Sequence, residues 1–393
     1  MMVRLSGNPW LEVAKLNKDY NLIAVAYTPW HAISIDVLIL YLQTKGIRVN
    51  PAIVLAEHPQ TGWGITIRDF TNDCATYFSY PHEVPNLESI QKQNQFGFFK
   101  RIRIFLGFYK SLLALLGSNV FNWMLKKHNC LYYSVNSFFE VSTIWELSSL
   151  TSKRVIVAYT EEGVASYMGT LSHPYSNIKK HSCSALRHYI RYFLFGVKFY
   201  DLINYHESVK LFKNTRKGLV INEPIISYYK DVLTKNSLRY INTIDFKSLN
   251  GSIIICTTAW ERKEIIEDED YEILKLVTTY LRGNGFKLFI KPHPRDSFFR
   301  EKIKELQSDA VDGEGLTIEC ICLNSQPRAI ISFSSTTLIT PRILGDTQVY
   351  SISHLLNLNK IGDVYKREMA CFEKTFGKFI SFVDDIEDLN KIK

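Results

Sequence analysis

The chain has no uninterrupted apolar run typical of a membrane span, no cysteine spacing typical of a zinc site, and no long apolar run among its first twenty residues. Its longest apolar stretch, NLIAVAYTPWHAISIDVLILYL, is interrupted by Pro29, His31 and Asp36, and therefore predicts a strand, a turn and a helix. The N-terminal residues are polar and of mixed charge, without the apolar core of a signal peptide. The seven cysteines are scattered, which favours reduced thiols in the cytoplasm.

Two long segments, 89–139 and 163–200, contain no aspartate or glutamate but several lysines and arginines. They add to a formal net charge of +8 and are rich in aromatic residues, as in LRHYIRYFLFGVKFY. Cations in such apolar company predict helices that lie on an anionic membrane face. Core helices with a solvated basic face are an equally open interpretation. Nucleic acid is disfavoured as a partner because no nucleic-acid-binding module is recognisable.

The pattern along the chain alternates between strand-like and helix-like segments, which predicts an α/β fold with parallel sheets. The first series of strands includes NLIAVAY, VNPAIVLAE, NCLYYSV and RVIVAY, and the second includes GSIIICTTAW, FKLFIKPHP, RAIISF and TQVYSI. A polar stretch at 234–250 is a candidate linker between the two series. We therefore expect two Rossmann-like parallel-sheet domains, 1–235 and 250–393, that face a central ligand cleft.

The first candidate motif is Glu161-Glu162-Gly163, which directly follows the apolar strand RVIVAY. Two adjacent carboxylates repel each other, so one of them can have a raised pKa and act as a general base. Gly163 permits a tight turn and the close approach of a substrate. A solvated strand end, or acids that complement a helix dipole, is the alternative interpretation.

The second motif, IKPHPRD, places His293 between Lys291 and Arg295 at the end of an apolar strand. Pro292 and Pro294 restrict the backbone around the histidine. An imidazole held between two cations suits a phosphate, to which it can donate a hydrogen bond or a proton. We interpret this motif as functional, although a lone histidine is more often structural.

The third motif, ISFSSTTL, places Ser334, Ser335 and Thr336 between a strand and a predicted helix. Hydroxyls and unpaired amides at the start of a helix form an anion site. An ordinary helix cap is the alternative. In combination the three motifs predict an acid-base group in the first half of the chain and phosphate-binding groups in the second half.

The order of these motifs, acid-acid-glycine, His-Pro and paired Ser/Thr, resembles that of the bacterial sialyltransferases, including the polysialyltransferases and lipooligosaccharide sialyltransferases. The segment YTPWHAIS near the start also resembles the opening of the alpha-2,8-polysialyltransferase-like family. This chain has Glu-Glu-Gly where some relatives have Asp-Asp-Gly. Its Ser-Ser-Thr-Thr run leaves more than one register open for the Ser/Thr pair.

The resemblance implies a GT-B fold, CMP-sialic acid as the donor substrate, inversion at the anomeric carbon, and no metal or other cofactor. It implies Glu162 as the general base with Glu161 in support, His293 as the acid or phosphate ligand, and Ser335 and Thr336 as contacts of the CMP phosphate. The remaining donor-site candidates are Lys291, Pro294 and Ser334. The Asp-Glu-Asp run at 268–270 superficially resembles a metal-binding motif, but we interpret it as the acidic start of a helix.

The expected acceptor is a hydroxyl of a surface glycan or glycolipid, from capsule or lipooligosaccharide, which suits an enzyme peripheral to the cytoplasmic side of the inner membrane. Three alternatives stay open. A transferase of another CMP-activated acidic sugar, such as Kdo, would need similar phosphate-binding groups. A non-catalytic, membrane-peripheral glycan-binding protein would keep the fold without the chemistry, and a UDP-sugar transferase would bind a different nucleotide.

Overall fold

The structure of the protein is a computed structural model that consists of two compact units. Unit 1 comprises Met1–Glu162 and Ser172–Val209, and unit 2 comprises Gly163–Leu171 and Lys210–Lys393. The residues that the structure describes are 2–4, 22–26, 28–56, 65–71, 75–80, 131–135, 155–161, 163–164, 167, 206–215, 218–258, 269–293, 305–306, 308–311 and 316–392. The basic aromatic segment 89–139 lies outside them except at 131–135, and 163–200 except at 163–164 and 167.

The described part of unit 1 is a seven-stranded parallel sheet with the order β1-β4-β3-β2-β5-β6-β7. Its strands are β1 (Met2–Arg4), β2 (Leu22–Ala26), β3 (Pro51–Ala56), β4 (Thr76–Tyr80), β5 (Leu131–Val135), β6 (Val155–Tyr159) and β7 (His206–Ser208). The chain runs outward from β2 to β3 and β4, and then returns to place β5 on the other side of β2. This reversal is the topological switch point at which open α/β sheets bind ligands.

Helix α1 (Pro29–Thr44) follows β2 and is largely buried. Thr28 caps it by accepting a hydrogen bond from the His31 N–H at 3.2 Å, and Pro29 occupies the first turn, where a missing N–H costs nothing. The polar residues that interrupt its apolar sequence therefore form a helix start and part of a buried helix face. Among the described residues, the structure contains no helix with the length and hydropathy needed to cross a membrane.

Unit 2 contains a six-stranded parallel sheet with the order β12-β11-β10-β13-β14-β15 and a separate antiparallel hairpin, β8-β9. The strands are β8 (Phe212–Thr215), β9 (Gly218–Ile221), β10 (Ile253–Cys256), β11 (Leu288–Lys291), β12 (Asp309–Ala310), β13 (Ala329–Ser332), β14 (Gln348–Ser351) and β15 (Ser381–Phe382). The helices are α2 (Glu223–Ser237), α3 (Glu269–Gly283), α4 (Ile318–Asn324), α5 (Thr340–Gly345) and α6 (Asp363–Phe376).

The central strands of unit 2 are buried on both faces, since every residue of β10, β11 and β13 is buried. Helix-covered parallel strands of this kind read as continuous apolar runs, which is why the sequence predicted them. On one face, Ile255, Ile290 and Ile331 pack with Leu274 and Val277 of α3 in a single core. The α/β class with two Rossmann-like parallel-sheet units is thereby confirmed, whereas the cleft between the predicted domains stays a prediction.

Residues 210–250 belong to unit 2. The sequence had instead predicted that 210–235 belongs to the N-terminal domain and that 234–250 is a linker. Helix α2 packs against α4: the Ser237 hydroxyl lies 3.4 Å from Asn324 Oδ1. Beyond α2, Phe246 and Leu249 are buried and anchor the polar stretch. The polar residues after α2 are mostly exposed, and these two buried side chains attach the stretch to unit 2.

The Asp-Glu-Asp run meets its expected environment, because Glu269 and Asp270 lie in the first turn of α3. Glu269 accepts hydrogen bonds from the Asn357 N–H at 3.1 Å and the Lys360 ammonium at 2.7 Å. At the other end, Gly285 has a φ of +78° and donates its N–H to the Arg282 carbonyl, which closes the helix.

Candidate active site

Three adjacent strand ends of unit 2 bring the phosphate-binding candidates into one region. The chain runs from β10 outward to β11 and β12 and then returns to β13, so β10 and β13 flank the switch point of this sheet. Thr257 follows β10, His293 follows β11 and Ser334 follows β13. The second and third motifs, far apart in sequence, are therefore neighbours at the carboxyl edge of one sheet.

The backbone at His293 is fixed by a residue that sequence reasoning missed. The His293 N–H donates to Thr257 Oγ1 at 2.8 Å, and the Thr257 N–H donates to the Lys291 carbonyl at 3.1 Å. Thr257 is buried, whereas His293 is half-buried and so reaches the surface of the unit. The hydroxyl directly after the apolar run of β10 was the available sequence signal for this contact. Pro294 lies outside the described residues.

The hydroxyl-rich turn after β13 is held by hydrogen bonds of its own. Ser335 begins a 3-10 helix (Thr336–Leu338) and accepts the Thr337 N–H at 3.3 Å. Ser334 Oγ lies 3.5 Å from the Tyr365 hydroxyl of α6, and both serines are half-buried. The helix-cap interpretation therefore describes Ser335 correctly. Each serine keeps further hydrogen-bonding capacity, because a hydroxyl offers one donor and two acceptor positions.

Lys291, the last residue of β11, interacts electrostatically with the buried carboxyl group of Glu319. Only 9% of Lys291 is exposed, and its charge lowers the pKa values of both Cys256 and Glu319, so the ammonium group is close to both. Burial outweighs this effect: it raises the pKa of Glu319 above its ordinary value and that of Cys256 to about 12. Lys291, buried at the carboxyl end of β11, therefore adds positive potential to this edge of the sheet.

Glu319 is linked to the hydroxyl-rich turn through Thr340. Glu319 is a buried residue of α4, and the Thr340 hydroxyl is hydrogen-bonded to its carboxyl group. The same hydroxyl lies 3.2 Å from the carbonyl oxygen of Thr336, which also accepts the Ile339 N–H at 2.9 Å. No sequence pattern predicts this chain of contacts, because Glu319 and Thr340 lie in different helices, 21 positions apart.

The acid pair begins at the carboxyl end of β6 in unit 1. Glu161 is 1% exposed, and its carbonyl oxygen accepts a hydrogen bond from the Ser34 hydroxyl of α1 at 3.0 Å. The segment YTPWHAIS thus supplies both the start of α1 and a direct support for the acid motif. A solvated strand end does not describe Glu161. Glu162, the candidate base, lies outside the described residues.

Gly163 and Val164 belong to unit 2, where they contact Thr336. Gly163 has a φ of +116°, and a Cβ atom added to it would lie 2.6 Å from Thr336 Oγ1. The Val164 N–H donates to the same oxygen at 3.2 Å. The tight backbone expected at Gly163 is therefore present. The group that approaches it within the structure is a side chain of the third motif.

Comparison with solved structures finds similar folds at low sequence identity. A sialyltransferase from Photobacterium damsela is 10% identical, covers 92% of this chain and 81% of its own, and gives a TM-score of 0.48. An alpha/beta-galactoside alpha-2,3-sialyltransferase from Photobacterium phosphoreum is 12% identical, with coverages of 94% and 98% and a TM-score of 0.46. A UDP-GlcNAc 2-epimerase from Methanocaldococcus jannaschii is 12% identical, with coverages of 94% and 90% and a TM-score of 0.47.

Because these TM-scores lie below 0.5, the family assignment rests on sequence. Comparison with curated proteins found no match. The family model described as alpha-2,8-polysialyltransferase matches residues 22–353, a range that includes YTPWHAIS and all three motifs. The resemblance predicted from those motifs is confirmed. The chain belongs to the alpha-2,8-polysialyltransferase family and is a sialyltransferase, a glycosyltransferase that takes a nucleotide-sugar donor and a glycan acceptor.

Proposed function

We propose that the protein transfers sialic acid from CMP-sialic acid to a hydroxyl of a surface glycan, in capsule or lipooligosaccharide, with inversion and without a metal. The observation that carries the proposal is the meeting of the second and third motifs at the switch point of unit 2. There, His293 follows β11 and the serines at 334 and 335 follow β13, the two strands on either side of β10. Imidazole and hydroxyl groups at one sheet edge suit the single phosphate of CMP.

The donor-side chemistry is the stabilisation of a departing phosphate. When the bond between the sialyl anomeric carbon and the phosphate oxygen breaks, the electron pair stays on that oxygen and CMP leaves with its negative charge. His293 donates a hydrogen bond or a proton to the phosphate, and the hydroxyls of Ser334 and Ser335 donate hydrogen bonds. Lys291, buried at the end of β11, adds positive potential at the same edge of the sheet. Donors fixed before the reaction stabilise charge without reorganisation, which supports the assignment of His293, whose backbone Thr257 holds.

The acceptor-side chemistry is proton removal by Glu162. The acceptor oxygen attacks the anomeric carbon opposite the departing phosphate, so a single displacement inverts the configuration, and its proton passes to the Glu162 carboxylate. The buried neighbour Glu161 supports this role, because an adjacent acid in a low-dielectric position raises the proton affinity of the base. General base catalysis of this kind contributes about 10²–10⁴ in rate.

The decisive experiment incubates the protein with CMP-sialic acid, CMP-Kdo or a UDP-sugar in the presence of EDTA. Sialylated, galactosylated and lipid-linked acceptors are supplied, and products are read by mass spectrometry. We expect transfer from CMP-sialic acid alone, undiminished by EDTA, and the product masses distinguish single addition from polymer synthesis. Transfer from CMP-Kdo in its place would assign the alternative donor. A requirement for added divalent metal would overturn the metal-independent mechanism.

Two substitutions separate catalysis from glycan binding. Glu162→Gln and His293→Ala should each lower kcat about 10²-fold or more while CMP still raises the melting temperature. Glu272→Gln, at an exposed carboxylate of α3, is the matched control and should retain full activity. Unchanged function in both active-site variants would support the non-catalytic glycan-binding alternative.

The proposed location is the cytoplasmic face of the inner membrane, where lipid-linked acceptors are accessible. The support is the acid-free composition of segments 89–139 and 163–200. Sedimentation with anionic vesicles tests it: binding should weaken as salt increases and should be absent with neutral vesicles. Equal binding to both vesicle types would refute an electrostatic contact.

A further inference from the structure

The side chain of Thr336 is engaged by the chain segment that follows the acid motif. Thr336 Oγ1 accepts the Val164 N–H at 3.2 Å. The position of a Cβ on Gly163 would lie 2.6 Å from Oγ1 and 3.4 Å from the Thr336 methyl carbon. Both polar and apolar atoms of this side chain therefore face Gly163 and Val164, and only a glycine permits the approach.

The backbone of Thr336 is fixed from the opposite direction. Its carbonyl oxygen accepts the Ile339 N–H at 2.9 Å and lies 3.2 Å from the hydroxyl of Thr340, which is anchored on the buried Glu319. Thr336 thus has a rigid base within unit 2. The side chain of Thr336 contacts Gly163 and Val164, whereas Ser335 accepts a hydrogen bond from the Thr337 N–H of its own turn and Ser334 lies beside Tyr365 of α6.

The segment that Thr336 contacts has a second anchor in unit 2. The Tyr167 hydroxyl accepts a hydrogen bond from the Phe212 N–H at 3.2 Å. The Tyr167 ring packs edge-on against the rings of Phe212 and Phe376. The chain passes from unit 1 to unit 2 between Glu162 and Gly163. The segment that begins with Gly163, the residue bonded to the candidate base, is therefore held by Thr336 at Gly163 and Val164 and by an aromatic cluster at Tyr167.

We propose that Thr336 is a positioning residue that acts on Glu162 through the backbone of Gly163 and Val164. In this assignment the phosphate contacts of the hydroxyl-rich turn fall to Ser334 and Ser335, which resolves the open register of the Ser/Thr pair. The assignment of a role to Glu162 rests on the proposed sialyltransfer mechanism. The contact of Thr336 with Val164 does not, so it can be tested separately.

The experiment compares Thr336→Val, which keeps the shape and loses the hydroxyl, with Thr336→Ser, which keeps the hydroxyl. Ser335→Ala serves as the donor-site comparison, and Thr243→Val, at an exposed threonine of unit 2, as the matched control. Steady-state kinetics with CMP-sialic acid give kcat and KM separately. Hydrogen exchange of peptides that include Val164 reports the backbone contact without any need for activity.

For Thr336→Val we expect kcat to fall about ten- to a hundredfold, with KM for the donor within a factor of two, because a displaced base slows the chemical step. Exchange at Val164 should rise roughly tenfold, since its amide loses its acceptor. Thr336→Ser should restore most of both values. Ser335→Ala should instead raise KM for the donor and leave Val164 exchange unchanged.

Two results would overturn the inference. If Thr336→Val raises KM for the donor at unchanged kcat, Thr336 is a phosphate ligand. If Val164 exchange is unaltered, the positioning contact is absent. Failure of the proposed function looks different: the unsubstituted protein would transfer no sugar from CMP-sialic acid, while the exchange result would still decide whether Thr336 holds this segment.

Discussion

Replacement of Gly163 by alanine tests the structure at its tightest described backbone approach. Gly163 has a φ of +116°, a conformation that residues with a Cβ rarely adopt. The added methyl would also lie 2.6 Å from Thr336 Oγ1. Rotation of the threonine side chain would relieve this overlap, but would break its hydrogen bond with the Val164 N–H. The variant therefore combines two separate costs.

The magnitude follows from these two costs. A non-glycine residue in a disfavoured region of φ costs about 1–3 kcal/mol. The steric overlap, or the loss of the Val164 hydrogen bond that avoids it, adds about 1–2 kcal/mol. We expect Gly163→Ala to reduce the free energy of unfolding of unit 2 by about 2–5 kcal/mol. Gly218→Ala, whose φ is +101° with no atom within 4 Å of the added Cβ, is the matched control and should show the backbone cost alone.

The assay is a double-mutant cycle with Thr336→Ala, measured by urea unfolding. Removal of the threonine side chain should cost about 1 kcal/mol by itself, because the Val164 N–H loses its acceptor. In the double variant the overlap no longer exists, so the combined loss should be smaller than the sum of the single losses by about 1–2 kcal/mol. Calorimetry identifies which transition belongs to unit 2, since a chain of two units need not unfold in one step.

Additivity of the two substitutions within about 0.5 kcal/mol would refute the contact between Gly163 and Thr336. A loss for Gly163→Ala no larger than that for Gly218→Ala would lead to the same conclusion. In either case, the positioning role of Thr336 would lose its structural basis.

Three further predictions concern unit 2. Burial raises the pKa of Glu319 above its ordinary value of 4.5. The free energy of unfolding should therefore fall as the pH rises from 4.5 through the raised value, by up to about 1.4 kcal/mol per pH unit. Glu319→Gln should flatten this dependence in a series of denaturation experiments from pH 4.5 to 8. Thr257→Val should lower kcat about tenfold by leaving the His293 N–H without its acceptor, and Thr257→Ser should restore it; equal kinetics would contradict the contact. Cys320, whose buried thiol has its pKa raised to about 11, should resist iodoacetamide at pH 8 and react after the half-buried Cys371, as read by peptide mass spectrometry.

The sequence predicted the elements whose signal is local. Runs such as GSIIIC and RAIISF are apolar because both faces of the sheet are covered, and they became β10 and β13. Gly285 ended α3 because it supplies a left-handed backbone position that other residues avoid. The placement of His293 and the hydroxyl-rich turn at one edge of the sheet followed from topology alone, since parallel strands bring their carboxyl ends to one edge.

The rest depended on contacts between distant residues. The sequence around Lys291 does not indicate its interaction with Glu319. The position of a residue in its strand decides on which side of the sheet its side chain lies. The support of Glu161 by Ser34 spans 127 positions. The edge strands β1, β12 and β15 have only two or three residues each, too few for a periodicity to stand out. A polar surface turn and a linker share the same composition, so the sequence does not distinguish between them at 234–250.

The assignment of Gly163–Leu171 to unit 2 has a consequence for the exchange of modules between related enzymes. A chimaera with a single junction near Val209 would take Gly163–Leu171 from one parent and the rest of unit 2, from Lys210 on, from the other. The tyrosine of Gly163–Leu171 would then have to fit an aromatic cluster that did not evolve with it. Each unit of such a chimaera should keep the contacts of its own parent only if junctions before Gly163 and after Leu171 are added to the junction near Val209.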